Sequence, residues 1–168
     1  MRISAIVALD EKNGIGKDNT VPWHIKADLV RLKNLTLGHV AILGRTTYES
    51  LLSYYSKSGK PTMSQRIHIV VTHDATYRVE SDKGFAVTSV EEALTKAKQL
   101  EKDEVFILGG AKIFAQTLPY VDRLYLTLVK GDYHADTFFP DYSAFTKVIE
   151  KEERNDGEIP YTFLTLEK

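Results

Sequence analysis

Asp28 follows the chain's single tryptophan, Trp23, by five residues in the stretch TVPWHIKADL. Pro22 precedes the tryptophan, and Leu29, Leu32 and Leu35 follow the carboxylate at helical spacing. A carboxylate in the first turn of a helix ordinarily complements the helix dipole and does nothing more. Beside an indole and a leucine stripe it would instead stand in a partly apolar pocket. There ionisation is costly, the pKa rises and the group can control a proton. Thr127 in LYLTLV is either a β-branched filler or a hydrogen-bond partner for a polar group in that pocket.

Two other segments place glycine at a strand-to-helix junction. In FILGGAKIF, residues 106–114, Gly110 and Ala111 leave room for a diphosphate at exposed backbone N–H groups. In LGRTT, Gly44 permits close approach, Arg45 can pair with a phosphate, and Thr46 and Thr47 can cap or donate. Each also reads as an ordinary tight turn or helix cap, and neither has the G-x-G-x-x-G spacing. Two such turns in one parallel sheet would line one crevice at the strands' carboxyl ends. A glycine-flanked loop, DEKNGIGKDNTVPW, holds Ile15 between Gly14 and Gly16. Histidines 24, 39, 68, 73 and 134 show no metal-ligand spacing, so no metal is assigned.

These groups need a scaffold that gathers residues far apart in sequence. The 168 residues are 43% hydrophobic, which suits one domain, residues 1–168, with its own core. A net charge of −1 with dispersed Lys and Arg offers no basic surface for nucleic acid. No apolar run reaches the roughly 18 residues that span a bilayer, and the N-terminus lacks a signal-peptide pattern. The absence of cysteine excludes disulfides and thiolate metal sites and fits a cytoplasmic location. Apolar runs at 3–9, 39–44, 66–72 and 104–110 read as buried strands, with another at 122–129 and an alternating pair at the C-terminus. Helical patterns fall between them: 26–35, RTTYESLLSYY, SVEEALTKAKQL and GAKIFAQTL ending at Pro119. Ser89 and Glu92 form an expected capping box. Residues 53–65 read as an exposed loop, and EKEER as a solvated strand or sheet edge. The alternation predicts an α/β domain with a mainly parallel sheet and an antiparallel C-terminal edge.

Taken in order, GIGKDNTVPWHIKADL, AILGRTTYESL, FILGGAKIFAQTLP, LYLTLV and HADTFFPDY resemble the segments of the dihydrofolate reductase family. The resemblance covers nearly the whole chain, and five matches in register are highly specific. It implies an eight-stranded, mostly parallel sheet flanked by four helices. The implied activity is NADPH-dependent reduction of 7,8-dihydrofolate to tetrahydrofolate for one-carbon metabolism. Antifolates are then expected ligands, and the expected state is a monomer with no nucleic-acid or membrane partner.

By resemblance, Asp28 grips the pterin's amino-pyrimidine edge and promotes protonation at N5, Trp23 helps hold an ordered water, and Thr127 orients Asp28. Ile6, Val7 and Leu108 lie along the pterin, with Ile6 and Leu108 offering backbone carbonyls. Leu29, Leu32 and Leu51 wall the site, and Arg66 pairs with the substrate's glutamate α-carboxylate. Ala8, Ile15, Gly16 and Asn19 are expected at the nicotinamide half of the cofactor, and Gly44, Arg45, Thr46 and Thr47 at phosphates. Gly109, Gly110, Ala111, Lys112, Ile113 and Gln116 take the other side of the diphosphate, and Thr72 and His73 the adenosine end. Arg45, helped by His73 or Lys112, would select the 2′-phosphate. Gly109-Gly110 matches a pair that the family joins by a cis peptide.

The chain departs from the family pattern in places. Leu32 stands where many members have Phe, Tyr48 replaces a common Trp, and Lys112 stands where Arg is frequent. The usual P-L-P-G-R approach to Arg66 is replaced by the longer SYYSKSGKPTMSQR. The nearest competing reading is a pyrimidine reductase of the riboflavin pathway on the same fold, which the Pro-Trp loop with Asp28 disfavours. A non-catalytic nucleotide-binding protein is disfavoured by Asp28, Trp23, Thr127 and Arg66 occurring together.

Overall fold

The computed structural model describes residues 1–59, 65–81, 83–155 and 157–168. Eight strands form one sheet: β1 (Arg2–Leu9), β3 (Val40–Gly44), β4 (Ile67–Val71), β5 (Phe85–Val87), β6 (Glu104–Ile107), β7 (Arg123–Val129), β9 (Lys147–Arg154) and β10 (Tyr161–Glu167). Their order is β5-β4-β3-β6-β1-β7-β10-β9. The first six neighbours pair in parallel, and β10 pairs antiparallel with β7 and β9. A separate ribbon joins β2 (Gly14–Gly16) to β8 (Thr137–Phe138).

Period-two alternation sends the strand residues to two faces. Val7, Leu9, Val40, Ile42, Ile69, Ile107, Leu124 and Leu126 form the larger core with α3 (Val90–Leu100) and α4 (Ala111–Thr117). Ile6, Phe106 and Tyr125 meet Leu32 and Leu35 of α1 (Lys26–Thr36), while Leu43 and Val70 meet Tyr48, Leu51 and Leu52 of α2 (Arg45–Lys57). Helix α3 carries a full apolar stripe, with Val90, Ala93, Leu94 and Ala97 buried. Helix α1 buries only Thr36, with Leu29, Leu32 and Leu35 half-buried, as α2 buries only Tyr48 with Leu51 and Leu52 half-buried. Its inner surface therefore shares its apolar residues between the sheet and open space.

Three sequence expectations change. Residues 53–57 belong to α2 and are not loop, because the helical pattern runs on to Lys57 before Gly59 takes a positive φ of 65°. Residues 60–64 of that stretch lie outside the described residues. Strand β5 was missed: at three residues it is too short to show a period. The capping box is also offset by one residue. Ser89 accepts from Glu92 N at 3.1 Å, while Glu92 reaches back to Thr88 N at 3.0 Å. Strand β9 is exposed along nearly its whole length, as expected of a charged edge.

Candidate active site

The cleft begins where two neighbouring strands part. β1 and β6 pair only from Arg2↔Glu104 to Ala5↔Ile107. Beyond that point β1 continues to Leu9 against β7, while the chain leaving β6 follows β3 instead. Leu108 N donates to Ile42 O at 2.9 Å, and Gly44 N donates to Gly109 O at 2.8 Å. The β6-facing edge of β1 past Ala5 thus has no strand neighbour, and Ile6, Val7 and Leu108 border the gap. Val7's side chain packs into the core under α3 and α4, so only its backbone can serve the cleft.

On the α1 side, Asp28 sits in the helix's first turn, with its N–H donating to Ile25 O at 3.1 Å. Thr127 is buried on β7 and donates its hydroxyl to Asp28 Oδ1 at 2.6 Å. Ala8 and Phe163 flank Thr127 on the neighbouring strands. Burial pushes the Asp28 carboxyl above its usual range, and the Thr127 hydrogen bond and the Arg31 charge pull it partly back. Trp23 is buried, meets Tyr133 edge-to-face at 5.2 Å, and has an indole Nε1 with no hydrogen-bond partner among the described residues. Such an orphaned donor calls for a ligand or water.

Arg31 is a member of this site that the sequence reading passed over. Its Nη1 donates to Leu126 O at 2.9 Å and its Nη2 to Thr165 Oγ1 at 3.2 Å. Its guanidinium lies 4.5 Å from the Phe163 ring centroid. The available signal was spacing: an arginine three residues after Asp28 shares its helix face. At the far end of α1, Arg66 is buried, with Nε donating to Thr36 Oγ1 at 2.6 Å and Nη2 to the Lys33 carbonyl. Asp28 thus lies at one end of the helix and Arg66 bonds to the other, with Leu29 and Leu32 between them, and Leu32 and the α2 residue Leu51 pack in two clusters that share Leu108.

The two glycine turns meet on the other side of the gap. Gly109-Gly110 is joined by a cis peptide bond, and Gly109 has φ 108°, which only glycine adopts comfortably. A Cβ at Gly44 would come 3.3 Å from Ile113, and one at Gly110 3.3 Å from the Thr47 hydroxyl. Helices α2 and α4 start at these turns without a side-chain cap, whereas α3, away from the cleft, is capped by Ser89. Their first N–H groups are therefore open to an anion. Thr46 is exposed, and Thr47 and Ala111 are half-buried.

Arg45 is paired with Glu49 at 3.0 Å and Asp74 at 3.4 Å and lies 4.4 Å from the Tyr77 ring centroid. Thr72 is buried at the end of β4, and His73 is exposed beyond it. Lys112 is exposed, and Gln116 donates back to Lys112 O at 3.2 Å, so its amide serves its own helix. The glycine-flanked loop is tied down. Ile15 packs on the core, Asp136 N donates to Gly16 O at 3.0 Å, and Asp10 accepts from Gly14 N at 2.8 Å. Asn19, exposed with φ 60°, sits at the loop's tip.

Comparison with known proteins agrees with this arrangement. The family model described as dihydrofolate reductase matches residues 2–168. Dihydrofolate reductase type 3 of Salmonella typhimurium is 39% identical over 142 residues, covering 84% of this chain and 80% of that protein. Dihydrofolate reductase of Staphylococcus haemolyticus is 35% identical, covering 97% and 92%. A solved structure of dihydrofolate reductase from Enterococcus faecalis, complexed with NADP(H) and RAB-propyl, superposes with a TM-score of 0.82 at 29% identity, covering 99% and 95%.

Proposed function

The chain belongs to the dihydrofolate reductase family and reduces 7,8-dihydrofolate to 5,6,7,8-tetrahydrofolate with NADPH; from that premise we propose what each side of the cleft does. Asp28 accepts two parallel hydrogen bonds from the pterin's amino-pyrimidine edge, through Oδ1 and Oδ2. Thr127 holds the carboxylate in that plane. The negative charge, once the pterin is seated, favours the protonated form of N5, with the proton arriving through a water beside Trp23 Nε1. NADPH, when bound, supplies the hydride that ends on C6. The protein's share is alignment, exclusion of bulk water and control of the proton. Ile6 and Leu108 offer carbonyls along the gap, Leu29, Leu32 and Leu51 hold the ring system, and Arg66 takes the glutamate carboxylate at the rim.

The residues present fit the cofactor. Glycine at positions 44 and 110 keeps open a cradle that a Cβ would crowd, and the helix ends above it are uncapped. Gly44, Arg45, Thr46 and Thr47 hold phosphates on one side, and Gly109, Gly110, Ala111, Lys112 and Ile113 on the other, with the amide N–H that Gln116 does not give to Lys112 left to join them. Ala8, Ile15, Gly16 and Asn19 enclose the nicotinamide half, and Thr72 and His73 the adenosine half. The enzyme acts in this reading as a monomer in the cytoplasm.

The observation that carries the assignment is the Asp28–Thr127 pair: a carboxylate raised in pKa by burial and held at 2.6 Å by a hydroxyl 99 residues away. The test is dihydrofolate-dependent loss of NADPH absorbance, measured for the parent and Asp28→Asn across pH. The parent turns over, and the variant recovers toward acid, where the substrate arrives protonated. Equal pH profiles for the two would remove Asp28 from proton control.

A further inference from the structure

The Arg45 turn carries two carboxylates as well as a cation. Glu49 lies one turn along α2, is exposed, and also takes a hydrogen bond from the Tyr77 side chain. Asp74 is different. Its Oδ1 accepts from Thr76 N at 2.9 Å and from the Thr76 hydroxyl at 2.6 Å, and its own N–H donates to Thr72 Oγ1 at 3.2 Å. These bonds fix the side chain in a local turn and leave Oδ2 at 3.4 Å from Arg45 Nη1. Hydrogen bonds from Thr76 hold the Asp74 carboxyl below its usual range, so it stays ionised under working conditions. When an anion docks on Arg45, Glu49 can part from the guanidinium and keep the Tyr77 hydroxyl as its partner. Asp74 can do so only by giving up its bonds to Thr76.

A carboxylate and a guanidinium at the end of one strand serve opposite cofactors. A carboxylate accepts a hydrogen bond from a ribose 2′-hydroxyl and repels a 2′-phosphate, whereas an arginine pairs with the phosphate. We propose that Asp74 is a specificity-determining residue that lowers the enzyme's discrimination between NADPH and NADH by accepting the adenosine ribose 2′-hydroxyl of NADH and opposing the 2′-phosphate at Arg45. The proposal rests on the reading that the Arg45 turn receives the adenosine ribose. Gly44, the N-terminus of α2, Thr72 and Arg45 all converge there, and Tyr77 stacks behind the guanidinium.

Calorimetric titration of the full chain with NADP⁺ and with NAD⁺, at low ionic strength, reads the effect without turnover. Asp74→Asn keeps an acceptor for Thr76 and removes the charge. It should tighten NADP⁺ about fivefold and weaken NAD⁺, so that the ratio of the two Kd values rises about tenfold. Asp74→Ser, which also preserves the local turn, should move the ratio the same way. Glu49→Gln should move it less than twofold. Arg45→Ala should weaken NADP⁺ at least tenfold and leave NAD⁺ nearly unchanged. If Arg45→Ala behaves so but Asp74→Asn and Asp74→Ser leave the ratio unmoved, Asp74 has no part in selection and the proposal fails alone. If Arg45→Ala weakens both ligands equally, the ribose does not sit at this turn, and the site reading falls together with the proposal.

Discussion

Replacing Asp28 by Asn should separate what the carboxylate does for the reaction from what it does to the fold. Its folded-state pKa lies above the ordinary carboxylate value because burial opposes the charge. In the pH window between those two values the folded protein binds the proton more tightly than the unfolded chain, so stability falls as pH rises through it. Above the window the ionised group is a standing cost. Asp28→Asn should therefore raise the thermal midpoint of the ligand-free protein at neutral pH, with the gain vanishing in acid, while kcat at neutral pH drops by about a hundredfold or more. A neutral-pH midpoint unchanged or lowered would mean that Thr127 and Arg31 already compensate the buried charge. This pair also shows what residue-level reading can reach. Asp28 stood out by its neighbours Trp23 and Leu29, but a lone threonine in a strand says nothing about a partner 99 positions away. The residues offered Thr127 only as a filler or as a partner to some polar group in the pocket; that the group is Asp28 came through family resemblance.

Among the elements, α1 is lightly secured. It has no side-chain cap, and its apolar residues are half-buried in a cleft. Arg31 supplies part of the attachment by bonding β7 and β10 together with the helix. Arg31→Met keeps the stem and removes the donors, leaving the Leu126 carbonyl and the Thr165 hydroxyl short of a partner. The expected loss is about 1–2 kcal/mol in denaturant unfolding. Because the Arg31 charge holds Asp28 down, the same change should move the acid limb of the kcat/KM profile to higher pH, and Arg31→Lys should return most of that shift. A profile that stays in place would make Arg31 a purely mechanical tie. The continuous apolar run of β1 and the helical stripe of α3 were legible because burial wrote their pattern. β5 was not, since three residues carry no period. Nor was the end of α2, where Ser and Tyr blur the boundary between helix and loop.

At the scale of the molecule, one buried histidine should dominate behaviour in mild acid. His68 on β4 is buried beside Tyr48, its Nε2 has no hydrogen-bond partner among the described residues, and burial followed by the Arg66 charge lowers its pKa to about 4. The unfolded chain takes up that proton near the ordinary value of 6.5, so stability is present in full above that pH and is lost as pH falls toward about 4. Up to about 3 kcal/mol should disappear across the window in urea unfolding, and His68→Asn should flatten the slope. A slope that persists in the variant would place the acid sensitivity elsewhere. The mainly parallel sheet was readable from alternating elements, but the order of its strands was not, because which strand parts from which is decided by pairing between distant segments. That parting has a mechanical consequence. Four register pairs, Arg2↔Glu104 to Ala5↔Ile107, join the plate β5-β4-β3-β6 to the plate β1-β7-β10-β9, and past them the β6 chain bonds to β3 instead of β1. The short ladder is a seam, and any ligand lying across the gap works as a rivet between the two plates. Backbone amides of β1 and β6 along it should exchange hydrogen faster than those between β3 and β4 in the free protein, and slow the most when substrate analogue and cofactor are added together.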